Sequence, residues 1–572
     1  LERGFKNSTK ASDRRARSVL KAEALQQLIK PAQARAVLLE CSERDGTHID
    51  VQLALANLET DVHRKLQLIN AVYQQAGLAE LCLLPDLVSP QGKLYELLSA
   101  TEMPPHKDAA DDFPLVSVII PVFNAQNRIA TTLRSLLAQS WPNIEILVVD
   151  DCSTDQTLAV VNQIALQEPR ISIIAAEANR GPYAARNRGL RQARGCHDAD
   201  DWSHPAKLEI QIRHLIANPG CIGNTSQQAR LTEDLVAYRR TGNLGFFNQQ
   251  NLSSFMFRRE PVLQHLGFWD CARFGADGEF IRRVVKVFGT NAVEHLDTVP
   301  LSFQRQSAGS LTSSDYFGFD GFLYGARREQ FNWYRYNQRT QLSSYYPENN
   351  SKSVVPLPEP CWPEREVKAA DGSRYFDVVI ASDFRLSGGS TISNLEEIKA
   401  QRAAGLRTAV MQLYRYDFDP ERHLSDKLRE LIDNDLVHLV VYGEKIRTQH
   451  LIVRYPPVLQ FKQKFLPQIT ADRVSVIINQ PPMSDYGSHP VVRYDLVVAS
   501  RNLQAISTAP AIWYPIGPLV RESIEQYHAA QLSAIQLSEK HWFNIIDLDE
   551  WYRGDHIPNS DCPVIGRHSR DH

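Results

Sequence analysis

Twice along this chain a short apolar run of β-branched residues gives way to a helical pattern and then to another such run. That alternation restricts the fold more than any other feature. Val116-Ser117-Val118-Ile119-Ile120-Pro121-Val122 reads as a buried strand, and Ile129, Leu133, Leu136 and Leu137 follow at helical spacing. Ile144-Glu145-Ile146-Leu147-Val148-Val149 is a second strand, Val160, Val161, Ile164 and Ala165 a second helix, and Ile171-Ser172-Ile173-Ile174 a third strand. Such alternation builds βαβ units and a mostly parallel sheet. In these sheets ligands sit at the carboxyl ends of the strands. The pattern starts again at Phe376-Asp377-Val378-Val379-Ile380-Ala381, passes through a helix from about Leu395 to Ala403, and predicts strands at 408–413, 436–442, 474–479 and 496–499.

The chain has 572 residues, and at roughly 150 residues per domain three to four domains are expected. Residues 1–100 read as a helical region, 113–342 as the first α/β domain, 343–373 as a Pro-, Ser- and Asn-rich linker, and 374–572 as a second α/β domain. In the helical region Leu20, Leu25, Leu28 and Ile29 recur at helical spacing, as do Val51, Leu53, Leu55 and Leu58, and again Leu66, Ile69, Val72 and Tyr73. These Ala-rich helices resemble a tetratricopeptide-like stack, a module for packing or for a protein partner. Thr101 to Asp112 is a polar, Pro-containing connection.

Lys plus Arg total 63 and Asp plus Glu 66, a net charge of −3, which argues against nucleic acid as a partner. A charged fraction of 23% excludes a mostly disordered chain. The eight cysteines stand singly with no CxxC, so no zinc site or disulfide framework is implied, and a reduced, cytoplasmic setting is the plain expectation. No apolar run approaches the ~18 residues of a membrane span, and no signal peptide is visible. Arg14, Arg15, Arg17 and Lys21 could touch a membrane surface as a peripheral contact; a solvated helix face is the simpler reading. The first residue is not Met, so a fragment or processed chain is expected.

Acidic residues gather at the carboxyl ends of the first strand series. Asp150-Asp151-Cys152-Ser153-Thr154-Asp155 follows the second strand. There a carboxylate can accept from a nucleobase or ribose, while Ser153 and Thr154 can instead cap the next helix, with Asp155 in its first turn; both roles can coexist. In Asn179-Arg180-Gly181-Pro182-Tyr183-Ala184-Ala185-Arg186-Asn187 a Gly turn opens a helix, and Arg180 and Arg186 could face diphosphate oxygens or simply be surface arginines. Asp198-Ala199-Asp200-Asp201 sets two carboxylates side by side, hard ligands suited to Mg²⁺ or Mn²⁺ against a diphosphate. Asp277, between Gly275 and Gly278, opens another helix as a cap or as a general base for an acceptor hydroxyl.

Val118 to Asn124, Val148 to Asp155, Ala185-Arg186-Asn187-x-Gly189 and Asp198 to Asp201 stand in the order seen in family-2 glycosyltransferases, and residues of about 113–315 resemble that family's GT-A, Rossmann-like domain. The resemblance implies inverting, metal-dependent hexosyl transfer from a UDP-, GDP- or dTDP-sugar to a glycan or glycolipid acceptor. The setting would be surface polysaccharide synthesis (O-antigen or capsule-like), at the inner face of the cell membrane. It implies that Pro121, Phe123, Asn124, Arg180 and Arg186 line the nucleotide-sugar site and that Asp150 or Asp151 holds base and ribose. Asp198 would lie near ribose or metal, Asp200 would ligate Mn²⁺ or Mg²⁺, and Asp277 would deprotonate the acceptor. Two departures stand out. Only Gly195-Cys196-His197 precede Asp198 where a core strand of about five residues is expected, and Ser307 stands where many members carry a metal-binding His. A short approach to Asp198 favours a rival reading, a catalytically impaired binding or scaffold protein. A sugar nucleotidyltransferase is the other rival, and Asn124-Ala125-Gln126-Asn127 lacks the Gly-rich triphosphate loop such enzymes carry.

In the second series Ser387-Gly388-Gly389-Ser390-Thr391 opens a helix after the first strand. The glycine pair is either a tight turn or a place where a ligand approaches the backbone. Residues of about 374–555 resemble the amino-terminal half of a GT-B glycosyltransferase. Pro563 to His568 resembles the first strand of the missing half, so this domain is expected to be truncated and inactive by itself.

Overall fold

A computed structural model of the chain describes residues 10–85, 93–102, 113–193, 197–198, 201–239, 245–306, 317–340, 343–348, 352–419, 421–484, 486 and 491–544, with only the backbone of 197–198 and 319. They form two compact units, Leu1–Ser314 with Gln341–Val354, and Asp315–Thr340 with Val355–His572.

The first unit is built on a parallel sheet in the order Ile171–Ala175, Ile144–Asp150, Val116–Val122, His197–Asp198. Side chains of a strand alternate between faces, and both faces here are covered, which is why these strands are continuously apolar. Val118, Ile120, Ile146 and Val148 pack with Leu133, Leu136 and Val161 of the helices Ile129–Leu137 and Thr157–Ala165. Ile119, Leu147 and Val149 face the other way, toward Tyr183, Ala185 and Leu190 of the helix Pro182–Gln192 and Phe280 of the helix Ala276–Phe288. The helix Pro182–Gln192 lies so close to the sheet that a Cβ on Gly189 would come within 2.5 Å of Ile119 Cγ2 and 3.1 Å of Val149 Cγ2. A second sheet is centred on Gly223–Leu231 and Val293–Arg305, which run parallel, with Trp202–Ser203 antiparallel to the latter.

The amino-terminal helices Ala11–Gln27, Pro31–Asp45, Ile49–Ala56 and Val62–Gln75 do not close a core of their own. Val51, Leu53, Leu55, Ile69 and Tyr73 share one apolar cluster with Trp202, Ala229, Leu231 and Phe303 of the second sheet. Polar contacts fix the same seam. The Tyr73 hydroxyl donates to Pro300 O at 2.6 Å, and Asn57 exchanges two hydrogen bonds with the backbone of Ala237. Buried Asp50 accepts the amides of Phe247 and Asn248 at 2.6 and 2.8 Å.

The segment 343–373 is divided between the units. Tyr346 exchanges backbone hydrogen bonds with Leu266 and Phe268, and Asp270 accepts from the Ser353 hydroxyl and the Val354 amide, all within the first unit. Val355, Leu357 and Cys361 are buried in the second unit, which also contains the helices Phe319–Tyr324 and Ala326–Thr340. The segment is polar in composition, and Val367, Tyr345 and Val354 stay exposed, but Tyr346, Val355, Leu357 and Cys361 are inside.

The second unit is a seven-stranded, wholly parallel sheet in the order Val437–Val440, Thr408–Gln412, Arg374–Ser382, Lys445–Arg454, Gln468–Ile478, Ala511–Pro515, Gln536–Leu537. The strand expected at 496–499 is instead the start of the helix Leu496–Gln504. A short apolar run does not distinguish the two states. Here Asp495 decides it by capping the Val498 amide at 2.9 Å, while Leu496, Ala499 and Leu503 are buried at helical spacing. Lys445–Arg454 escaped the sequence reading because its exposed half carries Lys445, Arg447 and Gln449.

Two outcomes test this packing. Gly189→Ala overpacks the helix–sheet contact and should cost about 1–3 kcal/mol of stability in urea unfolding, with the fold kept. Burial pushes the Asp50 carboxyl up to about 6 from its ordinary 3.8, against the pull of the Asn248 and Phe247 amides. A raised folded-state value means that the stability it contributes is present below about 4 and lost as pH rises through about 6. Asp50→Asn, which keeps an acceptor for both amides, should therefore gain stability relative to wild type across that window. A difference between the two that stays flat from pH about 4 to 7 would contradict this burial.

Candidate active site

The loops after the first two strands of the first unit are laced together by short polar side chains. Asn124, in left-handed conformation (φ 47°), donates its amide to Ser153 Oγ at 3.0 Å and accepts from the Thr154 amide at 2.9 Å. Asp155 accepts from the amides of Gln126 and Thr157, just ahead of the helix Thr157–Ala165. Pro121 is half-buried in the strand, and Phe123 just beyond it is 46% exposed. Most of the Asp-Cys-Ser-Thr-Asp segment therefore holds two loops in register.

The adjacent carboxylates Asp150 and Asp151 have different surroundings. Asp151 accepts the Arg180 amide at 2.9 Å and the Gly181 amide at 2.7 Å, one on each oxygen. Burial holds its carboxyl above its usual range despite these amides. Asp150, the last residue of its strand, receives the Ser153 amide on Oδ2 at 3.0 Å, while its buried Oδ1 has no hydrogen-bond partner. A buried acceptor without a donor is costly unless something supplies one.

From Asp151 the polar contacts lead to Asp277. Gly181, with φ 92°, starts the helix Pro182–Gln192. On its first turns Tyr183 donates its hydroxyl to Asp277 Oδ2 at 2.9 Å, and the buried Arg186 lies 3.8 Å from Asp277 Oδ1 and 4.7 Å over the Tyr183 ring. Burial keeps the Tyr183 hydroxyl protonated, far above its usual range. Ser253 Oγ approaches the same carboxylate at 3.5 Å, and Asp277 retains 17% side-chain exposure in the first turn of its helix. Arg273 clamps Asn179 with two bonds of 2.9 Å, and Asn187 exchanges two bonds of 2.9 Å with the Trp269 backbone. Arg180 is exposed and gives its backbone to Asp151. Tyr183, Asn187 and Arg273 were not singled out in the sequence, although the first two lie inside a quoted motif; an aromatic or an amide in a helix carries no spacing signal of its own.

The backbone of His197–Asp198 pairs with Val118 and Ile119, a ladder of two residues following a helix that ends at Gln192. Asp200 and Ser307 lie outside the described residues, and of Asp198 only the backbone is described. The next acid, Asp201, accepts the Arg305 amide at 3.1 Å. Among the described residues no group of three or more His, Cys, Asp or Glu is arranged to hold a metal ion.

Residues 117–262 match the family model of glycosyl transferase family 2, and this part of the chain is a glycosyltransferase family 2 domain. An uncharacterized glycosyltransferase of Haemophilus influenzae is 38% identical over 111 residues, 19% of this chain and 44% of that protein. The putative teichuronic acid biosynthesis glycosyltransferase TuaG of Bacillus subtilis is 41% identical over 107 residues, 18% of this chain and 42% of its own length. The succinoglycan biosynthesis protein ExoO of Rhizobium meliloti is 40% identical over 215 residues, 32% of this chain and 60% of its own length. The chain thus spans about half the length of these relatives. Among solved structures, Staphylococcus aureus TarS 1-349 in complex with UDP-GlcNAc aligns at TM-score 0.30 and 20% identity, covering 40% of this chain and 74% of that one. The mannosyltransferase PcManGT of Pyrobaculum calidifontis, in complex with GDP-Man and Mn²⁺, aligns at 0.30 and 19%, covering 42% and 68%. At that score neither structure carries a residue or a ligand over to this chain. No helix among the described residues is long and apolar enough to cross a membrane.

The two strand-end acids should separate experimentally. Asp151→Asn turns an amide NH₂ toward a backbone N–H and should cost about 1–3 kcal/mol. Asp150→Asn keeps the Ser153 contact through its carbonyl and should cost less than Asp151→Asn. Equal losses in urea unfolding would contradict these hydrogen-bond assignments.

Proposed function

We propose that the first unit transfers a sugar from a nucleotide-diphosphate donor to a hydroxyl of a glycan or glycolipid acceptor, with inversion, in the synthesis of a surface polysaccharide at the inner face of the cell membrane. The observation that carries this reading is the buried, partnerless Oδ1 of Asp150 at the carboxyl end of the sheet, inside the matched family domain. It is placed to accept from a nucleobase N–H or a ribose hydroxyl, beside Pro121, Phe123 and Asn124. The names of TuaG and ExoO support the polysaccharide setting.

In this mechanism Asp277 takes the proton of the acceptor hydroxyl. The oxygen so freed bonds to the anomeric carbon from the face opposite the diphosphate, whose C–O bond breaks, and the configuration inverts. Tyr183 and Arg186 fix the two Asp277 oxygens so that the carboxylate presents one orientation to the acceptor. A divalent cation, Mn²⁺ or Mg²⁺, held by Asp198 and Asp200, would offset the charge on the departing nucleoside diphosphate. Arg180, exposed beside the Asp151-bound turn, contributes further positive charge to the diphosphate. The two-residue ladder at His197–Asp198 favours a second reading, a binding protein in which the metal carboxylates are misplaced and turnover is lost.

Calorimetry with UDP, GDP and dTDP in Mn²⁺, together with a transfer assay, separates these readings. Asp200→Asn should abolish metal-dependent nucleotide binding. Asp277→Asn should keep it and lower kcat by about 10²–10⁴-fold. Nucleotide binding without any transfer by wild type favours the second reading. An Asp277→Asn enzyme with more than about a tenth of wild-type kcat removes the base from that position.

A further inference from the structure

In the turn between the first two helices of the first unit, backbone strain and exposed apolar surface coincide. The helix Ala11–Gln27 is closed by two backbone bonds, the Ile29 amide donating to Gln26 O at 3.0 Å and the Lys30 amide to Leu25 O at 2.9 Å. This pattern of closure sets the residue after the cap in the left-handed region, and glycine ordinarily fills it. Here the residue is Ile29, with φ 57°. A β-branched side chain is poorly suited to that conformation, because its Cβ substituents crowd the backbone.

The side chain held in this way stands in solvent. Ile29 is 88% exposed and Leu28 beside it 66%. Pro31 and Ala32, on the first turn of the helix Pro31–Asp45, are exposed as well. The apolar cluster of these helices begins further in, at Ala22 and Leu25 on the first and Ala34 and Leu38 on the second. A glycine at 29 would relieve the backbone, and a polar residue at 28 would lose no packing. Two adjacent residues that cost stability in this way make an apolar tip, and strain kept at a surface turn points to something that receives it.

The size and charge of the tip decide what that is. A stable protein interface buries roughly 800 Å² on each partner, more than the side chains of one turn provide. A bilayer needs no matching shape and accepts a narrow apolar wedge. From Ala24 to Leu39 the sequence has no acid. Lys30 follows the apolar pair and is exposed, as is Lys21 two turns back on the first helix, while Arg35 is taken up by Glu59. Asp61, in the turn that carries Glu59, accepts the Arg64 amide, and the exposed Glu40 and Glu43 come only further along the second helix. The basic start of the first helix, which the sequence offered as a membrane contact, is elsewhere. Arg14 is bound to Asp45 at 2.6 Å at the opposite end of the hairpin, about 20 Å from Leu28 at ~1.5 Å per helical residue. We propose that the turn Leu28-Ile29-Lys30-Pro31 docks on an anionic lipid surface, with Leu28 and Ile29 entering the acyl boundary and Lys21 and Lys30 reaching the headgroups.

Co-sedimentation of the full chain with phosphatidylcholine vesicles, with and without phosphatidylglycerol, tests this. Wild type should bind the vesicles that contain phosphatidylglycerol, and bind phosphatidylcholine alone more weakly. Ile29→Gly should raise Tm and still weaken vesicle binding, and combined with Leu28→Asp it should weaken binding at least about tenfold. Lys21→Gln and Lys30→Gln should each weaken binding to the anionic vesicles about fivefold. A wild-type chain that binds neither vesicle overturns the proposal, as does binding unchanged in the double variant. A fall in Tm for Ile29→Gly would show that the side chain is packed, and overturns it too. Self-association of wild type that the double variant abolishes, without vesicle binding, would give the tip to a second copy of the chain instead. None of these readouts depends on sugar transfer, so this proposal and the proposed function stand or fall separately.

Discussion

Much of the first unit depends on one carboxylate holding two backbone amides. Asp151 stands at a strand end and takes the N–H groups of Arg180 and Gly181. That grip fixes where the helix Pro182–Gln192 begins, and so the rotation of every residue on it. Tyr183 and Arg186 fall on Asp277, Asn187 on the Trp269 backbone, and Gly189 against Ile119. With both oxygens occupied, Asp151 has little left for a ligand, whereas Asp150 keeps a buried acceptor open. Two neighbouring acids of identical chemistry are thus divided between holding the fold and facing a ligand.

The amino-terminal helices extend the same unit. Their apolar faces lie on Trp202, Leu231 and Phe303, and the strand bearing Phe303 pairs with Trp202–Ser203, which follows Asp201 directly. Tyr95 donates its hydroxyl to Phe303 O, and Arg305 is held by Glu96 at 2.5 Å and Glu233 at 2.9 Å.

The second unit shows how a parallel sheet produces a crevice whatever its sequence. Reversal of the strand order creates the gap, and the residues at the strand ends decide what it takes. In this chain Arg385 pairs with Asp383 and Arg454 with Glu397, while Asn394, Asn479 and the Arg454 Nε keep buried polar atoms without a hydrogen bond. Among the described residues of the first unit, Asp150 leaves a carboxylate oxygen open at a strand end.

Periodicity is local, and so the sequence by itself determined the strand–helix alternation from Val116 to Ile174, the parallel sheets, and the placing of Asp150, Asp151 and Asp277 at element ends. The order of the motifs also carried the family of residues 117–262. Only the tertiary structure decided what depends on distant partners. Asp495 capping Val498 made Leu496–Gln504 a helix where an apolar run read as a strand. Within the polar stretch 343–373, Tyr346 and Val354 are held in the first unit because their backbone found partners in Leu266, Phe268 and Asp270. Tyr183 and Arg186 became the support of Asp277, 94 and 91 residues away along the chain, because a helix start pinned by Asp151 turned them that way. Burial and hydrogen-bond satisfaction are properties of the assembled core. No window of neighbouring residues reveals which of two adjacent carboxylates keeps a free oxygen, or which buried asparagine lacks a partner.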